Sequence, residues 1–430
     1  MHIFFSGIGG TGIGPLALVA QQSGYSVSGS DKQASQYIDY LAKHGISDVT
    51  IGQSATNIAA AHSKNPIDWY VYSSAVAIEQ PNHPEFAFCQ ANNIRMSKRD
   101  ELLNEIITQK QLNLIAVAGT HGKTTTTALL VWALQQLNVP AGYILPAKSS
   151  FADMGACEPD AKYFVYECDE FDRNFLHFRP HLSLVTGIDW DHPDIFPTRE
   201  AYYQAFREFI AQSDYNVLWQ SDVNRLNRNP GEKDRVLSDT DEKMKLITLA
   251  GEVNRRNAWQ VAQSINLLFA IPLDKSIAVL NTFPGVSRRF EQITLGLYSD
   301  YAHTTEKIRG ALQIGQEIAG DNLVVVYEGL HNTRQHFIRD DLTHLFDAVK
   351  QLYIVPSYLA REDPSLELLT TPKLKAGLSE ASQSKTTASA LSNELRLAIQ
   401  QHLAAGNTVL CLSAGGGGSL DEWLRQNFAS

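Results

Sequence analysis

Residues 114–130 read LIAVAGTHGKTTTTALL, the stretch that most restricts how this chain can fold. An apolar run from Leu114 to Ala118 stops at Gly119, and a helix-like pattern resumes after Lys123, which predicts strand, glycine turn and helix N-terminus in that order. Such a turn binds phosphate. Unpaired amide hydrogens and the positive end of the helix dipole face it, Lys123 adds a point charge, and Thr124 offers a hydroxyl to Mg²⁺. A nucleoside triphosphate is the expected ligand. The spacing G-x-x-G-K-T is shorter than the standard phosphate loop, because Val117 stands five places before Gly122 where that loop carries a glycine.

The chain has 430 residues, enough for about three domains of ordinary size. Hydrophobic residues make up 44% and charged residues 19%, the balance of a globular protein. A net charge of −10 argues against broad nucleic-acid binding but leaves a local phosphate site open. Cys89, Cys157, Cys168 and Cys411 form no C-x-x-C pair, so no zinc knuckle or disulfide framework is expected. The apolar run at the N-terminus is too short for a secretion signal and no stretch approaches a membrane span, which gives a cytoplasmic protein without a membrane partner as the expectation.

Three glycine-marked units follow one another, and their alternation of strand and helix predicts the α/β class. In the first, a strand His2–Ser6 precedes GIGGTG at 7–12, then a helix-like pattern over 13–23 and a short strand Tyr25–Ser28 leading to Asp31. Gly7, Gly9 and Gly12 satisfy G-x-G-x-x-G, and Asp31 lies where a dinucleotide fold places its ribose-binding acid. The second unit holds the phosphate loop. Its strands Tyr163–Tyr166 and Leu182–Thr186 run into ECDEFD (167–172) and GIDWDH (187–192), carboxylates and an imidazole expected beside the loop. The third begins near Gly285, with strands Leu323–Tyr327, Leu352–Val355 and Thr408–Ser413, and a glycine run at 415–418. Residues 379–392, rich in Ser and Thr, read as a surface loop or an exposed helix face.

In this order GIGGTGIG (7–14), SGSD (28–31), SSAV (73–76), GTHGKTTTT (119–127), ECDEFD, IDWDH (188–192), GVSRRFE (285–291) and DYAH (300–303) resemble the Mur ligases of peptidoglycan precursor synthesis, within them most closely the branch that joins L-alanine to UDP-N-acetylmuramate. The likeness covers nearly the whole chain. It implies three domains: a UDP-sugar-binding Rossmann-like domain (1–108), a central ATP-binding domain of the phosphate-loop ATPase type (109–288) and a Rossmann-like amino-acid-binding domain (289–430). It implies ATP and Mg²⁺ as cofactors, a carboxylate activated as an acyl phosphate, and a monomer or homodimer. Lys123, Glu167, His192, Arg289 and His303 would be the catalytic set, with Thr124, Glu167 and His192 as metal ligands. Gly119, Thr120, His121, Gly122, Lys123, Thr124, Thr125, Asn254 and Asp300 would bind ATP. Gly9, Gly10, Thr11, Gly12, Asp31, Ser73 and Ser74 would bind the UDP-sugar, and Tyr301, His303 and Arg334 the amino acid, whose carboxylate suits a guanidinium fork.

The chain departs from the family at several places. Gly187 replaces an asparagine and Val253 a histidine, and Glu328-Gly329-Leu330-His331 stands where a glutamine-proline-histidine-arginine run is usual, near the expected amino-acid pocket. Where some relatives carry a carbamylated lysine, this chain has Phe206. The phrase DHPDIF (191–196) also resembles the recycling ligases that attach a tripeptide to the same UDP-sugar. The acceptor therefore stays open between a small amino acid and a peptide. An NAD-dependent oxidoreductase rests on Gly7 to Gly12 and Asp31 alone and leaves Lys123, Thr124, Glu167 and His192 unexplained.

Overall fold

The computed structural model describes residues 1–73, 76, 80, 82–190, 195–360 and 362–428. Its strands form three sheets, one for each glycine-marked unit. The first sheet orders Val49–Ile51, Ser26–Asp31, His2–Ser6, Trp69–Tyr72 and Arg95–Lys98 side by side, all parallel. His2–Ser6 is buried along its length, with Ile3 and Phe5 in one core and Phe4 in another, the alternation a strand imposes when both faces are covered. Strand order reverses between His2–Ser6 and Trp69–Tyr72, so the crevice beyond their carboxyl ends holds the glycine loop 7–14 and Ser73.

The second sheet orders Asp234–Leu237, Tyr215–Trp219, Leu182–Val185, Asn113–Ala118, Tyr163–Glu167, Ala141–Ile144 and Gly155–Ala156. Every pair is parallel except the last. Asn113–Ala118 sits in the middle, flanked by the two strands that end in acidic clusters, because its apolar run suits a position buried on both faces. The third sheet orders Glu291–Thr294, Leu297–Asp300, Thr408–Leu412, Leu323–Leu330, Gln351–Tyr358 and Thr386–Ala388, with an antiparallel hairpin at its first edge. Thr386–Ala388 is an edge strand inside the segment expected to be loop or helix face. Edge pairing needs one apolar face at most, and β-branched threonines supply it.

The α/β class holds, and the chain packs as two compact units. One comprises Met1–Ile247 with Asn257–Pro284 and contains the first two sheets, which share a continuous core from Ile3 and Phe5 to Ala116 and Phe164. The other comprises Thr248–Arg256 with Gly285–Ser430 and has a core on each face of the third sheet. All four cysteines are buried and unpaired. No helix among the described residues is long and apolar enough to cross a membrane.

Candidate active site

In the first unit the predicted phosphate loop joins Asn113–Ala118 to the helix Lys123–Gln136. Gly119 (φ 136°) and Gly122 (φ 79°) both occupy left-handed backbone that other residues avoid, and Gly122 is the helix N-cap without a side-chain cap bond. The first-turn amides therefore face the loop. A Cβ on Gly119 would lie 2.5 Å from Thr186 Oγ1 and 2.9 Å from the Gly187 carbonyl oxygen, so the turn is pressed against the end of Leu182–Val185. Thr120 fastens the two: its amide donates to the Gly187 carbonyl at 2.8 Å, and its hydroxyl donates to the Asp189 carbonyl (2.7 Å) and accepts from the Asp189 amide (2.8 Å). The Thr186 hydroxyl donates to the His121 carbonyl, and the His121 ring lies 3.9 Å from the Asp189 carboxylate. Thr124 is buried in the first helical turn and Thr125 half-buried beside it.

Lys123 Nζ donates to the Gly119 carbonyl (2.7 Å) and to Glu170 Oε2 (2.6 Å), with Asp169 3.9 Å away. Burial alone would lower the lysine's pKa, but the carboxylates of Glu170, Asp169 and Glu167 overcome it and hold the ammonium charged. Glu170, 1% exposed, also accepts from the Tyr202 hydroxyl, which is hydrogen-bonded to Thr120. Glu170 is a site residue that the sequence reading did not single out from its cluster. So is Asn257, whose amide lies 2.9 Å from where a Cβ on Gly122 would be. It follows Asn254 by one helical turn on Glu252–Phe269, and that i, i+3 spacing could have flagged it. Glu167 ends its strand opposite Val117, one turn of chain from the loop. His192 and Ser74 lie outside the described residues. Phe206 packs between Phe175 and Tyr202, so that position gives ring packing and no carboxylate.

The glycine loop of the first sheet exposes Gly10 and Thr11 at its tip. Asp31 turns inward and accepts from the Gly9 amide at 2.8 Å, bracing the loop. A Cβ on Gly9 would meet Asp31 and Ser35 at 2.9 Å, and one on Gly12 would meet the Arg99 guanidinium, so both glycines make room for protein atoms as well as for any ligand.

In the second unit, GVSRRFE forms a tight turn in which Gly285, Arg288 and Phe290 all have positive φ. Asp300 clamps it by accepting from the Phe290 amide at 2.7 Å, while the Tyr301 amide donates to the Arg288 carbonyl. Such stored strain is common where a loop must hold one functional shape. Arg288 and Arg289 lie over the Tyr301 ring at 4.5 and 5.1 Å, and Tyr301 packs edge-on to His303. Burial, then the charges of Lys307, Arg334 and Arg289, push the His303 imidazole down to about 3, while burial pushes Asp300 up to about 6 against the pull of Arg289 and Lys307. Arg289, Arg334 and Lys307 thus supply a cationic patch around Tyr301 and the neutral His303, a pattern suited to an anionic group. Asn254 donates to the Ala250 carbonyl from the first turn of its helix.

The departures near the expected pocket have their own partners. Glu328, 3% exposed, accepts from the Ser413 hydroxyl (2.6 Å) and the Leu420 amide (2.9 Å), so it anchors the glycine run. Leu330 is buried, and His331, with φ 55°, approaches Glu362 at 3.6 Å.

This geometry agrees with comparisons to known proteins. A UDP-N-acetylmuramate–L-alanine ligase of a Nocardioides species is 29% identical over 437 residues, which cover 96% of this chain and 93% of that one. The crystal structure of a UDP-N-acetylmuramate-alanine ligase from Thermotoga maritima shares the fold with a TM-score of 0.76 at 22% identity, over 97% of this chain and 96% of its own. A murein peptide ligase from Psychrobacter arcticus shares it with a TM-score of 0.60 at 20% identity, over 99% and 98%. Residues 2–111 match the model of the Mur ligase catalytic domain and residues 117–273 that of the Mur ligase middle domain. The two matches together span well over half of the sequence, and the chain belongs to the Mur ligase family of ATP-dependent ligases.

Proposed function

We propose that this protein joins L-alanine to the carboxylate of UDP-N-acetylmuramate, at the cost of ATP, in cytoplasmic peptidoglycan precursor synthesis. The observation that carries the reading is Lys123, a buried ammonium at a helix N-terminus, ringed by Glu167, Asp169 and Glu170 at the carboxyl edge of a parallel sheet. The names of relatives aligned over nearly the whole chain support the choice of substrates.

A carboxylate does not acylate an amine at neutral pH, so one of its oxygens attacks the terminal phosphorus of ATP and ADP departs. The amine nitrogen then adds to the acyl carbon, phosphate leaves, and the nitrogen gives up a proton. Lys123 and the loop amides of 119–125 neutralise charge on the phosphoryl oxygens, which is most of what phosphoryl transfer asks of a protein. Glu170, with Tyr202 behind it, keeps Lys123 charged and aimed. The donor set fits Mg²⁺: the Thr124 hydroxyl and Glu167 carboxylate are hard oxygen ligands, and Mg²⁺ is usually held by one or two such groups plus phosphates. Glu167 and His192 would hold a second ion, and bound Mg²⁺ supplies further charge neutralisation at the phosphates. Asn254 and Asp300 take the base and ribose, Arg289 lies near the nucleotide, and Tyr301, His303 and Arg334 receive the amino acid. Gly9 to Gly12, Asp31, Ser73 and Ser74 form the UDP-sugar site. The same reading divides the chain after residues 108 and 288 and has it act as a monomer or homodimer.

The test is phosphate release from ATP and Mg²⁺ with UDP-N-acetylmuramate against a panel of amino acids and the tripeptide. Release that needs the UDP-sugar and L-alanine supports the proposal. Reaction with the tripeptide alone moves the acceptor and keeps the chemistry, and no acceptor-dependent release overturns both.

A further inference from the structure

Arg99 belongs to none of the motifs above, yet it stands between the two glycine loops. It is the first residue of the helix Arg99–Gln109, directly after the edge strand Arg95–Lys98, on the same edge of the first sheet as Ser73 and the 7–14 loop. Its guanidinium occupies the space a Cβ on Gly12 would need. Gly12 does not have positive φ, so the glycine there is explained by room for this side chain and not by backbone conformation.

The next residue ties Arg99 to the second sheet. Asp100, 3% exposed, accepts from the Tyr166 hydroxyl at 2.7 Å, and Tyr166 immediately precedes Glu167. The carboxylates of Asp100, Asp169 and Glu167 all act on the Arg99 guanidinium. Among the described residues its one ion pair is the loose 3.6 Å approach to its own neighbour Asp100. A guanidinium has five N–H donors in a planar fork, so among the described residues most of this one's hydrogen-bonding capacity is left for another anion.

We infer that Arg99 grips the carboxylate of the UDP-sugar, the group to be phosphorylated, and holds it between the diphosphate loop and the phosphate loop. The inference rests on the proposed function and assigns a substrate contact within it. The diphosphate already has the amides of the exposed 7–14 loop. Arg99, packed against Gly12 of that loop, also feels the carboxylates of Glu167 and Asp169 at the end where phosphoryl transfer takes place, and its fork matches a carboxylate bidentately. Holding the nucleophile in place converts a chance encounter into a positioned one, so the residue acts on orientation as well as affinity.

The experiment measures binding of UDP-N-acetylmuramate and of UDP-N-acetylglucosamine, which has the same diphosphate and no carboxylate, to the full chain by calorimetry. Wild type is compared with Arg99→Met and Arg99→Lys, with ATP affinity and the thermal midpoint as checks of folding. Loss of a charge-assisted contact weakens UDP-N-acetylmuramate by about tenfold to a hundredfold in Arg99→Met, with UDP-N-acetylglucosamine and ATP unchanged. Arg99→Lys, which keeps the charge and loses the fork, recovers part of the loss. Should Arg99→Met fail to fold, Arg99→Lys carries the same comparison with a smaller loss confined to the carboxylate-bearing ligand. Equal weakening of both UDP-sugars overturns the inference in favour of a diphosphate contact, and no weakening of either leaves Arg99 a structural brace. Wild-type protein that binds neither UDP-sugar overturns the proposed function itself, a result distinct from both.

Discussion

Replacing Lys123 with methionine removes a charge from a pair that is almost entirely out of water. The side chains of Lys123 and Glu170 are 13% and 1% exposed, and their charged atoms are 2.6 Å apart. Breaking a buried pair by removing one partner typically costs about 3–5 kcal/mol, because the other charge is left uncompensated. Lys123→Met should therefore destabilise the protein by about 3–5 kcal/mol at pH 7. Adding Glu170→Gln removes the orphaned charge and keeps a donor and an acceptor beside Tyr202, so the double variant should return to within about 1 kcal/mol of wild type. Activity should not return, since the cation at the phosphoryl oxygens is still missing, and phosphate release should stay down by at least about a thousandfold in both variants. Urea unfolding and phosphate release, both at pH 7, measure the two effects separately. A double variant no more stable than Lys123→Met would refute the account of Glu170.

Glu167→Gln should raise the Mg²⁺ concentration for half-maximal phosphate release by at least about tenfold, and an unchanged titration removes Glu167 from the metal site. L-Alaninamide should react about tenfold to a hundredfold less efficiently than L-alanine if Arg334 binds the acceptor's carboxylate; equal kcat/KM for the two dismisses that assignment. Between pH 4 and 6 native Asp300, raised to about 6, keeps a proton the unfolded chain has released, so its contribution to stability falls as pH rises, whereas native His303, lowered to about 3, lacks a proton the unfolded chain retains, so its contribution rises. The slopes oppose one another in wild type, and His303→Gln should expose a fall of up to about 3 kcal/mol from pH 4 to 6; parallel thermal-midpoint profiles for the two proteins would contradict this. Gly155→Ala places a Cβ 2.5 Å from the backbone oxygen of Pro15, which cannot swing away, and should cost about 1–3 kcal/mol of stability without changing KM for ATP; an unshifted unfolding midpoint speaks against that contact.

The strand, glycine and helix of each unit were legible because each signal is local: an apolar run, a break, a resumed periodicity. The neighbours of Lys123 were less so. ECDEFD offers four carboxylates, and which one reaches the lysine depends on where the strand stops at Glu167 and the tight helix Phe171–His177 begins. Arg99 carried no pattern, since it follows a short polar edge strand and owes its position to packing against Gly12. Thr386–Ala388 was hidden in a Ser/Thr-rich stretch, because a three-residue edge strand has too few alternations to show a period. Glu328 looked like a change of acceptor specificity, and only its burial beside Ser413 and Leu420 shows it as an anchor for the glycine run.

The four buried thiols have a consequence for how this molecule can be watched. Burial raises Cys89 to about 12 and drives Cys168 and Cys411 upward as well, so at these three a thiol reagent meets almost no thiolate in the native state. Labelling must then wait for a local opening. Cys89 lies beneath the first sheet, Cys157 and Cys168 flank the strands of the second, and Cys411 sits in a central strand of the third. The chain thus carries a native stopwatch in each sheet, and modification rates resolved by residue would time the breathing of each one without an engineered probe.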